Sequence, residues 1–177
     1  MRRPLALAAL VSISATCASP AFAIDMPARK PGLWELKMEF GGRKLPAQVM
    51  KQCTDAASDK VMNSNFGGAA HSSCSKQEVT KTANGMVIDS VCTFGDSTTT
   101  SHAVVTGSFD SAYTVTMNST REGGHPIPGM PATGASNMTI QAKWIGPCGA
   151  GQRPGDVTMG NGMTMNVLDI SSRAPRE

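Results

Sequence analysis

Soft-metal chemistry is the first possibility the side chains raise. The chain carries twelve methionines against one tyrosine, and Met159, Met163 and Met165 lie close together near its C-terminal end. Thioether sulfurs are soft ligands that select Cu(I), and an exported methionine cluster is where such a site is expected. The same side chain also fills irregular gaps in apolar cores where aromatics are scarce. Val157 and Met159 facing Met163, Met165 and Val167 across Gly160-Asn161-Gly162 read as a last hairpin. That hairpin puts the three methionines on the face it must bury, so core filling is the favoured account and a Cu(I) site the alternative.

Other reactive groups lead less far. His71 and Cys74 have a spacing that suits zinc, with His102 and His125 to complete a site, but they fall on a loop, a strand and a Pro/Gly-rich stretch. An oxidising compartment also argues against a thiolate ligand. Gly95-Asp96-Ser97 and Gly107-Ser108 are fragments without the G-x-S-x-G setting of a nucleophilic serine. Few acids face inward by alternation, which removes support for a glycosidase-type carboxylate pair. Gly123-Gly124 and Gly149-Ala150-Gly151 lack the lysine and the strand-to-helix context of a phosphate loop. No catalytic motif emerges, and the expectation is a protein that is not an enzyme and has no cofactor.

The compartment is read from the first residues. Arg2 and Arg3 form a charged start, Leu5 to Ile13 a short apolar run, and Ala21-Phe22-Ala23 an A-x-A site, which predicts a secretory signal over 1–23 cleaved after Ala23. The run is too short to span a bilayer. Cys17 is preceded by Thr16 instead of the small residue a lipobox wants, so it leaves with the signal. Residues 24–177 then form one periplasmic domain, large enough to bury about 68–70% of its unfolded surface. Without Arg2 and Arg3 the basic and acidic counts are almost equal, so charge alone attracts neither nucleic acid nor an anionic membrane.

Cys53, Cys74, Cys92 and Cys148 remain, an even number that in an exported chain reads as two disulfides with three possible connectivities. Cys74 with Cys92, flanking one hairpin, is preferred, and hence Cys53 with Cys148. In the loop-entropy account the first contributes about 3 kcal/mol and the second about 4–5 kcal/mol.

The elements that position these residues are read mainly from alternation. In Pro31 to Phe40, Trp34, Leu36, Met38 and Phe40 alternate with Glu35, Lys37 and Glu39, the pattern of a half-buried antiparallel strand. Leu45 to Cys53 reads as a second strand, and Thr54 as the N-cap of a short helix through Val61, with loop from Asn63 to Ser73. A hairpin joins Ser75–Ala83 to Met86–Phe94 around Asn84-Gly85, which sets Met86 opposite Ala83. Cys74 is then out of register with Cys92 by three residues, so their disulfide needs a bulge or a frayed end. Thr98–Phe109 and Tyr113–Thr120 bury matching faces only with a three-residue loop, Asp110-Ser111-Ala112. Arg121 to Ser136, with four glycines and three prolines, reads as a mobile binding loop. Asn137 to Ile145 resumes alternation with Met138, Ile140, Ala142 and Trp144 inward, and Ser171 to Glu177 reads as a polar tail. Seven or eight short strands and one short helix predict an all-β antiparallel meander curved into a barrel or half-barrel.

Lys30-Pro31-Gly32-Leu33-Trp34-Glu35, Gln52-Cys53-Thr54 and Trp144-Ile145-Gly146-Pro147-Cys148 together resemble domain-of-unknown-function family 3617, exported proteins of Gram-negative bacteria. The resemblance covers nearly all of 24–177 and implies periplasmic residence and a β-rich fold. It carries over no catalytic or ligand residues, because the family has no established activity.

The leading expectation is a non-enzymatic periplasmic domain that binds an apolar or lipid-like molecule within a curved sheet. Trp34, Met38, Phe40, Tyr113, Met117, Met138 and Trp144 are its lining or simply its core. The alternatives are a Cu(I) protein using Met159, Met163 and Met165, and an envelope interaction or structural module marked by an exposed apolar patch or sheet edge.

Overall fold

A computed structural model describes residues 27–41, 46–65, 73–125 and 133–173. Residues 1–26 with Cys17, together with His71, Met130 and the centre of the Pro/Gly stretch, fall outside these residues. The described elements are, in chain order, β1 (Gly32–Gly41), β2 (Gln48–Thr54), α1 (Ala56–Asn65), β3 (Ser73–Thr82), β4 (Gly85–Phe94), β5 (Ser97–Ser108), β6 (Ala112–Gly123), β7 (Gly134–Gly146), β8 (Asp156–Met159), β9 (Thr164–Asn166) and α2 (Val167–Arg173).

All the strands join one antiparallel sheet in the order β3-β4-β5-β6-β7-β1-β2-β8-β9, which does not close on itself. The expected meander thus takes the half-barrel form. Strand β1 lies inside it, bonded to β7 on one side and β2 on the other. Its alternation decides the faces: Trp34 and Leu36 are buried and Met38 and Phe40 half-buried, while Lys37 and Glu39 pair with each other in solvent.

Opposed residues on paired strands share a face. The apolar side can therefore be followed from Met38 to Ile140, Val115, Val105 and Met86 across five strands. Trp34, Leu36, Met86, Ile88, Ala103, Val105, Val115, Ile140 and Ala142 form one buried cluster on it. One face of a flat, single-layer sheet would remain wet, so burial this complete requires the sheet to curl over its own apolar side.

Helix α1 lies over part of that apolar side, its Met62 and Asn63 facing Leu36, Val115 and Ile140, and its start departs from expectation. The N-cap is Asp55, not Thr54: Asp55 Oδ1 accepts the Ser58 N–H at 2.8 Å, and Ser58 Oγ accepts the Asp55 N–H at 2.9 Å. This is a capping box with serine in the reciprocal position. Thr54 completes β2 instead, its hydroxyl donating to the Gly32 carbonyl.

The hairpin registers also shift. The β3–β4 turn is Ala83-Asn84, so Lys81 faces Met86. A bulge between Cys74 and Lys76 then brings Cys74 opposite Cys92, and the two are disulfide-bonded. The β5–β6 loop keeps three residues but uses Phe109-Asp110-Ser111, pairing Gly107 with Tyr113 and Val105 with Val115. The second disulfide, Cys53 to Cys148, ties β2 to the chain just after β7.

Strands β6 and β7 pair out to Arg121 with Gly134, well into the stretch read as loop. Val167 opens α2 instead of extending the last strand, and α2 replaces the expected tail as far as Arg173.

Candidate functional site

Two concavities and one open face are candidates. The first concavity lies under α1. Arg29 is 5% exposed and Asp59 is 1% exposed; the Arg29 Nε–H donates to Asp59 Oδ1 at 2.6 Å and its backbone N–H to Oδ2 at 2.9 Å. Arg29 also donates from Nη1 to Gln52 Oε1 at 2.8 Å and from Nη2 to Met62 Sδ at 3.3 Å. A cavity of about 60 Å³ opens beside this group, walled by Leu36, Tyr113, Val115 and Ile140 of the sheet and by Met62 and Asn63 of α1. It has room for a water or two and none for a hydrocarbon chain. Burial pushes the Tyr113 phenol above its usual range, and the nearby Arg29 guanidinium works against that shift.

An aromatic stack continues from the arginine. Its guanidinium stands 5.8 Å from the Trp34 ring centroid, Trp34 lies 5.6 Å from Tyr113, and Tyr113 stacks on Phe109 at 4.7 Å. Trp34 is 0% exposed and donates from Nε1 to the Lys30 carbonyl. It is core and cannot line an open site. Trp144 is half-buried and grips the entering chain: its Nε1 donates to the Pro31 carbonyl at 3.1 Å and the Lys30 ammonium sits 3.7 Å over its ring. The two indoles thus anchor the segment before β1.

The second concavity is a groove of about 470 Å³ on the polar side, lined chiefly by Glu35, Lys37, Thr106, Thr114, Gln141 and Lys143. It offers both charge signs and hydroxyls, and Tyr113 is the one aromatic residue among its lining. Nothing in it points to one chemistry.

The open face is the apolar one, and its composition is unusual. Met38, Met50, Met86, Met117 and Met138 all stand on it by register. Met159 faces Met50, Met163 faces Met159 through the bond between the Met159 N–H and the Met163 carbonyl, and Met165 faces Val157. Met62 reaches it from α1. Every methionine among the described residues is therefore on one side of the sheet.

Burial along this side is graded. Met86 is 4% exposed; Met38, Met50, Met117 and Met138 are half-buried against the core, as is Phe40 beside Met138. At the β8–β9 end the face is open: Met163 is 56% exposed and Met165 39%, with only Met159 half-buried. The expectation that the last hairpin buries all three is corrected, because β9 is the sheet's edge and no further strand flanks it. Val49, 40% exposed, and Ile170, 55% exposed, are large apolar groups of β2 and α2.

Among the described residues, the histidine and cysteine positions weighed for zinc are each engaged elsewhere. Cys74 is in a disulfide, His102 Nδ1 pairs with Asp89 at 2.8 Å on the surface, and the His125 carbonyl accepts from Arg121. Among the described residues no three His, Cys, Asp or Glu groups stand together as a metal site. Sequence reasoning missed Arg29, Gln52 and Asp59; the only signal was an arginine just ahead of a strong strand, with no periodicity to mark it.

Comparison with known proteins gives one match. The family described as "Protein of unknown function (DUF3617)" matches residues 29–148, from the buried arginine to the second cysteine of the long-range disulfide. No curated protein and no solved structure matches the chain.

Proposed function

Since the chain belongs to the DUF3617 family, whose description names no activity, we propose from its own geometry that it is a non-enzymatic binding domain for an apolar, lipid-like molecule. The carrying observation is the one-sided methionine face, curved and left open where it reaches Met163 and Met165. Methionine is flexible and polarisable, and surfaces built from it adapt to apolar partners of differing shape. The ligand lies along the trough, on Met50, Met159, Met163 and Met165, and not in the 60 Å³ cavity beneath α1. Of the lining first expected, Met38, Met117, Met138 and Phe40 are its floor, while Trp34, Tyr113 and Trp144 hold the floor in shape.

The working compartment is the periplasm, reached through the signal at 1–23 with cleavage after Ala23. Two disulfides, one of them joining residues 95 apart, suit an oxidising compartment.

The test is titration of the folded protein with a fluorescent fatty acid. Saturable binding is expected, weakened about tenfold in the Met163→Gln, Met165→Gln double variant and retained when both are Leu. A folded protein that takes up no acyl chain, or a Gln variant that binds as wild type, overturns the reading.

A further inference from the structure

The pairing registers bring together, on this open face, sulfurs that are remote in the chain. Met50 of β2 stands directly opposite Met159 of β8. The Met159 N–H donates to the Met163 carbonyl at 2.8 Å, which places Met163 opposite Met159 on its other side. Met165 joins the same face opposite Val157. Opposed Cβ atoms lie about 4.5–5.5 Å apart on an antiparallel pair, and each methionine adds freely rotating bonds beyond that. Three sulfurs can therefore meet over Met159, the middle position.

Packing gives no reason for sulfur at the outer positions, since Met163 and Met165 are 56% and 39% exposed. At the inner position the Met50 thioether is already used as a ligand of sorts: it accepts the Gln52 Nε2–H at 3.5 Å. Neutral thioethers without a carboxylate or imidazole among them do not hold a hard divalent ion. They select a soft monovalent one.

We infer that Met50, Met159 and Met163 form a binding site for a soft monovalent cation of the Cu(I) class, with Met165 beside it as an exchangeable donor. Met50 is the ligand that only the fold reveals, because it lies more than a hundred residues before the others and on a different hairpin. The site goes beyond the apolar-ligand reading and does not depend on it.

The experiment uses the disulfide-intact protein, titrated with Ag(I) as a redox-silent probe and with Cu(I), kept reduced by ascorbate, against a chromogenic Cu(I) chelator. One equivalent is expected to bind, and the methyl NMR signals of Met50, Met159 and Met163 are expected to shift together. Met50→Leu and Met159→Leu, which conserve volume and keep the face apolar, should each weaken binding tenfold or more. Met86→Leu, a change at the buried far end of the face, should leave it unaltered. The site is refuted if no equivalent binds, if Met86→Leu weakens binding as much as Met50→Leu, or if Zn(II) binds as tightly as Cu(I). Because the leucine variants still present apolar surface, fatty-acid uptake that survives in them separates failure of the metal site from failure of the apolar reading.

Discussion

Arg29 and Asp59 meet at 2.6 Å inside the trough, although thirty residues separate them and the arginine precedes the first strand. The pair joins the approach to β1 with the inner side of α1, and Gln52 and Asn63 satisfy further donors and acceptors around it. Removing one member of a buried, hydrogen-bonded pair strands the other charge, which typically costs about 3–5 kcal/mol. Asp59→Ala is therefore expected to lower urea-unfolding stability by that order. The Arg29→Met, Asp59→Leu double variant should recover much of the loss, because it leaves no stranded charge. Equal losses in the single and double variants would show that the pair contributes packing alone.

The helix cap supplies a pH dependence. The Ser58 N–H donated to Asp55, with the Ser58 hydroxyl behind it, holds the Asp55 carboxyl below its ordinary 3.8. A group depressed in the folded state contributes stability that is complete above the unfolded value and is lost as pH falls through the folded one. Asp55→Ala should thus cost about 1 kcal/mol at neutral pH. The gap between wild type and variant should narrow below pH 3.8. A gap that is constant with pH in denaturant titrations would mean the capping carboxylate is not the source.

Much of this architecture was readable one face at a time. The alternation of Trp34, Leu36, Met38 and Phe40 located the inner side of β1, and parity alone required an odd loop between Val105 and Val115. The same logic placed Met163 and Met165 on the apolar side correctly and still misjudged their exposure. Register decides which face a residue joins; what covers that face depends on where β9 and α1 end up, which alternation does not encode. The Asp55 cap was legible in the sequence, since Asp55 and Ser58 have capping-box spacing while Thr54 is followed three residues later by Ala57, which cannot reciprocate. Arg29 with Asp59 carried no periodic signal, and Met50 with Met159 became neighbours only through the strand order.

Gly32 shows a position where the backbone admits one residue. Its φ is +131°, and a Cβ there would stand 2.5 Å from the Gly146 carbonyl oxygen and 2.6 Å from Trp144 Nε1. Strained backbone and a clash with main chain both oppose any side chain, each at a cost of about 1–3 kcal/mol. Gly32→Ala should destabilise by more than 2 kcal/mol on that estimate. It should also push the Trp144 indole away from the Pro31 carbonyl, seen as a red shift in tryptophan emission. Wild-type emission in a destabilised variant would place the strain elsewhere.

The two disulfides should contribute unequally. Cys74–Cys92 spans 18 residues within one hairpin whose strands are already paired on both sides of the bridge, whereas Cys53–Cys148 spans 95 and joins β2 to the end of β7. Loop-closure entropy rises with the logarithm of the enclosed length, giving about 3 kcal/mol for the short bridge and about 4.5 kcal/mol for the long one. The Cys53→Ala, Cys148→Ala variant is therefore expected to unfold at lower urea than the Cys74→Ala, Cys92→Ala variant, by about 1.5 kcal/mol of stability. The long bridge also neighbours Gly155, whose N–H donates to the Cys53 carbonyl and whose own carbonyl accepts the Val167 N–H. Its loss should therefore raise amide exchange first in β8, β9 and α2, the elements that carry Met159 and Met165 and flank Met163. Exchange rising first in β3 and β4 instead would show that the short bridge, not the long one, sets the order in which this domain opens.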